Sequence, residues 1–325
     1  MRAAAVAASA LLALLFAAAP ASTQGEPPVR YRVGLYVTDL YGLDLGGGTF
    51  GASFWVWSVG QDAGRALRSM EFANADRVAA SLESTVPRGS VAWSQRKVTG
   101  TFRQDWDLRN FPFDRHSLEI LLEEGAQEEG ALAYEADTAN SGHGLRAPVE
   151  GWRVAGMRVE AVAAAYATSF GDPAAPGPES RFARLRAVLA LERADYTGFL
   201  KLTAALYAGF LVCAIGCLMH VTSTTFAPRI TLLVASLFSL VFSMRAASAA
   251  LGGEHGATLI DKLHMAGLAY VVAVTAVSVL ARIRLEGAAE GTPGLVRLDR
   301  WCCLGVAALF VLANAWLMLR AAAEG

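Results

Sequence analysis

The chain has 325 residues, of which 54% are hydrophobic and 18% charged, and its formal net charge is -1. That balance excludes the basic field of a nucleic-acid binder and is too apolar for an ordinary soluble domain, so part of the chain is expected in lipid. The four cysteines, Cys213, Cys217, Cys302 and Cys303, all fall in apolar runs, which excludes a disulfide framework in the first half and CxxC metal spacing anywhere.

Residues 1–21 carry one positive charge (Arg2), an Ala/Leu run and a small-x-small end at Ala19-Pro20-Ala21. They read as a secretory signal peptide, which places the mature N-terminus outside the cytoplasm. From 29 to 195 short strand-like runs alternate with turn signals. The expected strands are 33–40, 49–59, 91–103, 117–123, 132–135, 152–163 and 182–191, a pattern that predicts an all-β sandwich or barrel. The Pro- and Gly-rich stretch starting at Asp172 predicts a protruding hairpin tip between two long strands. His116, His143 and His255 titrate near neutral pH in free form and are expected at the surface or in loops.

The character changes near Tyr196, after which no Asp or Glu occurs until Glu254. Residues 196–325 hold four apolar segments, about 199–219, 230–251, 259–280 and 301–319, each near the ~20 residues that cross a bilayer. Arg282, Arg284, Arg297 and Arg300 lie between the third and fourth. With the N-terminus outside, four passes put these arginines in the cytoplasm, as the positive-inside rule requires, and the C-terminus outside. The expected architecture is therefore a multidomain membrane protein, an extracellular or periplasmic β-sandwich followed by a four-helix transmembrane bundle in the inner membrane.

The segment Trp106-Asp-Leu-Arg-Asn-Phe-Pro-Phe-Asp-Arg-His-Ser-Leu118 resembles the signature loop of the Cys-loop (pentameric ligand-gated ion channel) receptor superfamily, with Asp107, Phe111, Pro112 and Asp114 at the matching positions. The flanking cysteines are replaced by Gln104 and Leu118, as in bacterial members. Arg193 before the first apolar segment, Pro228-Arg-Ile-Thr-Leu232 at the second and Leu259-Ile-Asp261 at the third match the family in the same order. The resemblance implies a homopentamer in which the second segment lines an ion pathway. It also implies an unknown small-molecule or proton ligand held between subunits under the hairpin 166–182.

At helical spacing Thr231, Ala235, Phe238, Phe242 and Arg245 share one face, and the family register implies that this face lines the pore. Rings of Phe238 and Phe242 would form a dewetted gate. Phenylalanines packed on neighbouring helices or lipid are the alternative. Ser236, Ser239 and Ser243 form an adjacent stripe expected in interhelical contacts. Arg229, with Arg245, is expected to favour anions, unless it turns towards the headgroups. Coupling between the two parts is expected at Asp44, Phe111, Pro112, Phe113, Asp114 and Arg193, with Asp114 paired to Arg193. The expected ligand site uses Tyr166, Phe170, Phe182, Phe72, Trp93 and Glu124, with Trp55 and Trp57 as further wall candidates. Aromatic walls suit cationic amines, although buried aromatics in a sheet are commonly core. Ion channel activity is the expected function, with a non-conducting pentameric membrane sensor as the alternative. No catalytic set, phosphate loop, cofactor or metal site is expected.

Overall fold

The computed structural model describes residues 27–173, 177–252, 256–286 and 293–324. The expected signal peptide, His255 and the middle of the hairpin tip lie outside the described residues.

Among the described residues ten strands form two sheets. The larger is built from β1 (Val29–Asp44), β2 (Thr49–Gly60), β4 (Ala75–Arg88), β5 (Val91–Arg103), β7 (Leu132–Ala136) and β8 (Gly142–His143). Its order is β4-β5-β2-β1-β7, with β8 also on β1. β7 and β8 run parallel to β1, and the other pairs are antiparallel. The smaller sheet has the order β3-β6-β10-β9, from β3 (Met70–Phe72), β6 (Arg115–Glu128), β9 (Trp152–Tyr166) and β10 (Ser180–Arg193). A short helix, α1 (Ala63–Arg68), follows β2 and is capped by Asp62, whose side chain accepts the Arg65 N–H.

Strand residues alternate between faces with period two, and the sequence obeys that rule where a face is covered. Val33, Leu35 and Val37 of β1, Leu118, Ile120 and Leu122 of β6, and Leu185, Ala187 and Leu189 of β10 are all buried in one shared core. The outward residues of β10, Arg184 and Arg186, pair instead with Glu123 and Glu119 on β6. Strand β4 lies at the edge of the larger sheet, and nearly all its residues are exposed.

Four apolar helices come next among the described residues: α2 (Thr197–Leu218), α3 (Phe226–Ala250), α4 (Leu259–Glu286) and α5 (Pro293–Glu324). Each is long and apolar enough to cross a membrane, so the chain is a multi-pass membrane protein by length and composition. Asp195 accepts the Thr197 N–H and hydroxyl at the start of α2. Pro228 falls in the first turn of α3, where its missing N–H leaves no intrahelical bond unmade. Gly252, at φ +90°, terminates α3 in a backbone region that side chains disfavour. Thr258 and Asp261 cap α4 reciprocally: the Asp261 N–H reaches the Thr258 hydroxyl, and Thr258 N–H reaches Asp261 Oδ2 at 2.9 Å. Phe210 of α2, Tyr270 of α4 and Phe310 of α5 meet at centroid distances of 4.9–5.1 Å in the middle of the bundle.

Candidate functional site

Three places concentrate chemistry: the junction between sheets and helices, the outward face of α3, and a cleft beside the β9–β10 hairpin.

The junction is built on the loop between β5 and β6. Asp114 is 3% exposed and takes charge-assisted bonds from both sides. Arg193 donates to it through Nε at 2.6 Å and Nη2 at 3.1 Å, and His116 Nε2 lies 2.7 Å from Oδ2. The Arg193 guanidinium stands between the Phe111 and Trp152 rings, 4.2 Å from each centroid. Burial pushes the Asp114 carboxyl up, but hydrogen bonds from His116 and Arg193 and their charges leave it net below its ordinary value. Nearby, the Arg109 side-chain bond to Asp107 holds that carboxyl down at about 2. His116 is 6% exposed, wedged against Trp106 and Trp152, so the expectation of a surface histidine is corrected. Its burial follows from the inward phase of β6, which continues through Leu118 and Ile120.

Three contacts carry this loop and its neighbours to the helices. The Leu259 N–H at the start of α4 donates to Arg109 O at 2.9 Å. A Cβ on Gly198 would lie in ordinary contact with Phe111 Cζ at 3.9 Å, whereas one on Gly46 would crowd Gly252 Cα at 3.1 Å, so the second approach is the tight one. Gly46 belongs to the turn that Asp44 closes by accepting the Gly47 N–H. Pro112 follows a cis peptide bond, and the Phe113 ring lies tilted against Tyr196 with centroids 6.0 Å apart. Asp44, Phe111, Pro112, Phe113, Asp114 and Arg193 thus meet at one end of the helix bundle.

On α3, Thr231, Ala235, Phe238, Phe242 and Arg245 are all exposed, with Phe238 at 61% and Phe242 at 70%. The opposite face, with Leu233, Ser236, Leu240 and Ala247, is buried in the bundle. The two phenylalanines therefore lie largely outside the contacts of the bundle. Of the serine stripe, Ser243 bridges helices, lying 3.3 Å from Leu202 O and 3.0 Å from His264 Nε2. Ser236 is buried facing Gly209 of α2 while its hydroxyl donates to Leu232 O on its own helix, and Ser239 is exposed.

Arg229 requires a correction. It is fully buried and bonded to Asp299 on α5, with Nη1–Oδ2 at 2.7 Å, and to Met219 O and Cys303 Sγ. Its charge is matched by Asp299 inside the bundle, away from the exposed face of α3. The sequence concealed this because Asp299 lies 70 residues further on. Arg282, Arg284, Arg297 and Arg300 are a smaller correction: they sit on the last turns of α4 and the first turns of α5, not in a linker.

The cleft beside the β9–β10 hairpin has a volume of about 490 Å³. Tyr166, Phe170 and Phe182 form an edge-to-face triad with centroids 5.4–6.1 Å apart. Phe170 adopts φ +51°, a left-handed backbone that costs about 1 kcal/mol for a bulky residue. Glu71, Glu123 and Glu124 line the other wall. Glu123 pairs with Arg184 and accepts from the Tyr166 hydroxyl at 2.8 Å. Burial, then that carboxylate, pushes the Tyr166 hydroxyl up. Glu124 is 1% exposed and accepts from Ser69 Oγ at 2.7 Å, the Ala126 N–H at 3.1 Å and Tyr134 OH at 3.3 Å.

Tyr166, Phe170, Phe182 and Glu124 therefore converge, while two expected partners do not. Phe72 packs in the core against Phe54 at 5.8 Å and Phe102 at 6.4 Å, because β3 turns it inward. Trp93 lies on β5, in the other sheet, and lines no part of this cleft. Trp57 donates to Asp137 at 3.0 Å and belongs to that sheet too. Glu71 and Glu123 were missed as site residues. Glu123 stands in the outward phase of β6 beside the inward Glu124, and that adjacent pair of acids was the available signal. Among the described residues no cluster of metal-binding side chains occurs, and the four cysteines are free thiols.

Neither a protein-family model nor a curated protein sequence matches the chain.

Proposed function

We propose that the chain is one subunit of a homopentameric ligand-gated ion channel of the bacterial Cys-loop type, its two sheets forming an external β-sandwich and α3 lining the pore. The observation that carries the reading is the junction. The Arg109–Leu259 backbone bond and the Gly46–Gly252 contact attach the sheets at the connection between α3 and α4. Any displacement of the sheets is delivered there to the end of α3, whose Phe238 and Phe242 face has no partner in its own subunit. The FPFD resemblance and the order of elements agree with that arrangement.

The ligand class follows from the cleft. Three aromatic rings and several carboxylates suit an organic cation, which gains from ring quadrupoles and from charge. Anion preference, if Arg229 is set aside, rests on Arg245, exposed on the same stripe near the outer end of α3.

The test is electrical. Proteoliposomes holding the purified chain should pass current when primary or quaternary amines are applied, under a scan of pH. Particles with five-fold symmetry that pass no current under any ligand or pH select the non-conducting receptor instead. Monomeric particles sink both readings.

A further inference from the structure

We propose that Cys217 of α2 and Cys303 of α5 form a modification site, a dithiol that hydroperoxides oxidise to a disulfide joining the two helices. The site lies at the end of the bundle away from the sheets, where the last turn of α2 and the first turn of α3 meet α5. Arg229 of α3 ties the three together. Its Nη1 donates to Met219 O, just past α2, at 3.3 Å and to Asp299 of α5 at 2.7 Å, and its Nη2 donates to Cys303 Sγ at 3.1 Å. The Cys217 thiol is in hydrogen-bond contact with the Cys303 thiol across the seam between α2 and α5. Both are buried, whereas Cys302, one residue away, is exposed.

The attacking species is a thiolate, and a cation beside the sulfur favours it. Arg229 supplies that cation to Cys303 and keeps a donor in reserve, because its buried Nε–H has no partner among the described residues. Cys303 Sγ attacks the outer oxygen of the hydroperoxide. The O–O bond breaks, an alcohol leaves with the thiol proton, and the sulfur is oxidised to a sulfenic acid. Cys217 Sγ then attacks Cys303 Sγ, the S–O bond breaks, and hydroxide leaves as water with the Cys217 proton. Two thiols have given up two electrons, and one hydroperoxide has become one alcohol and one water. The sulfurs must close to the ~2 Å of a disulfide, and they start in contact on helices that already touch. An uncharged oxidant suits the place, since entry of a charged one into a bundle in lipid is costly. The chemistry needs neither a pore nor a pentamer, so it survives or fails apart from the channel reading.

The full chain in detergent micelles, treated with tert-butyl hydroperoxide and then denatured, alkylated and digested for mass spectrometry, tests it. The four free thiols of each chain should fall to two, with a crosslink between Cys217 and Cys303 that dithiothreitol reverses. The double variant Cys213→Ser and Cys302→Ser keeps only the pair and should lose both thiols to the same crosslink within one chain. Single variants separate the roles. Cys217→Ser leaves the Cys303 sulfenic acid without a thiol to resolve it, so dimedone should label Cys303. Cys303→Ser removes the attacking sulfur, and dimedone labelling of Cys217 should be about tenfold weaker than that of Cys303. Retention of all four thiols, a crosslink that uses Cys213 or Cys302, or a crosslink between two chains overturns the proposal. Labelling of Cys217 as strong as that of Cys303 also overturns it, since the cation beside Cys303 would then direct nothing.

Discussion

At the scale of single residues the junction turns on Asp114. It accepts from Arg193 and His116 with almost no solvent to replace them. Asp114→Asn leaves the Arg193 cation buried without its anion, a loss of about 3–5 kcal/mol for a pair of this kind. A marked drop in thermal midpoint is the expected result, and an unchanged melt would remove the residue from the junction's support. The pH dependence has a definite sign. A carboxyl held below its ordinary 3.8 contributes stability above that value and loses it as pH falls towards the folded-state pKa. Asp107, held at about 2, acts in the same direction, though its exposure weakens the contribution. Melting midpoints should therefore hold steady from neutral pH down to about 4 and fall below it. Arg193→Lys separates charge from shape. Lysine keeps the cation but loses the two-pronged bond and the flat contact with Phe111 and Trp152. Its midpoint should lie between those of the parent and Arg193→Gln, and equality with the parent would show that charge alone matters. The Asp114–Arg193 pair was legible in the sequence through the motif. His116 was not, because one polar residue inside an alternating strand gives no hint that a neighbouring carboxylate and two indoles enclose it.

At the scale of elements, α3 presents two faces with different fates. If α3 lines a shared water path, Phe238→Cys and Phe242→Cys should react with a water-soluble thiol reagent, and Leu240→Cys and Ala247→Cys should be protected. Reaction at Leu240 with protection at Phe238 would turn the helix around and discard the gate. Replacing both phenylalanines by alanine should raise the leak without ligand, since wider, less apolar rings hold water more readily. How much was legible differs between strands and helices for a physical reason. Strand β5 was expected at its observed bounds, and it pairs along its length with β2 on one side and β4 on the other. Strand β4 was missed. An edge strand with nearly every residue exposed needs no apolar period, and Pro87 reads as a breaker. Hydropathy placed all four long helices but cut the last ones short. It marks only the stretch that suits hydrocarbon, whereas α4 continues through Arg282 and Arg284 and α5 begins before Arg297. Alternation also failed to separate site aromatics from core aromatics: Phe72 and Phe182 are both strand phenylalanines, and only the pairing of β3 with β6 tells them apart.

At the scale of the whole molecule, the helices leave apolar sides that one chain cannot cover. Leu211 and Ile215 of α2, Val272 of α4 and Leu312 of α5 are each more than half exposed, so lipid or further copies must cover them. In the proposed pentamer, charge on the pathway comes from α3 alone, and its two arginines make opposite predictions. Arg229 is sealed against Asp299 inside each subunit. Arg229→Gln leaves that acid buried without its partner and should cost about 3–5 kcal/mol of bundle stability. The channels that still assemble should keep their ion preference, because no charge has left the pathway. Arg245→Glu changes little packing, since the side chain is exposed, but it replaces five cations by five anions around one ring. Its reversal potential under a potassium chloride gradient should move from the chloride side to the potassium side. A selectivity change with Arg229→Gln and none with Arg245→Glu would place the pathway on the other face of α3 and end the proposed assembly.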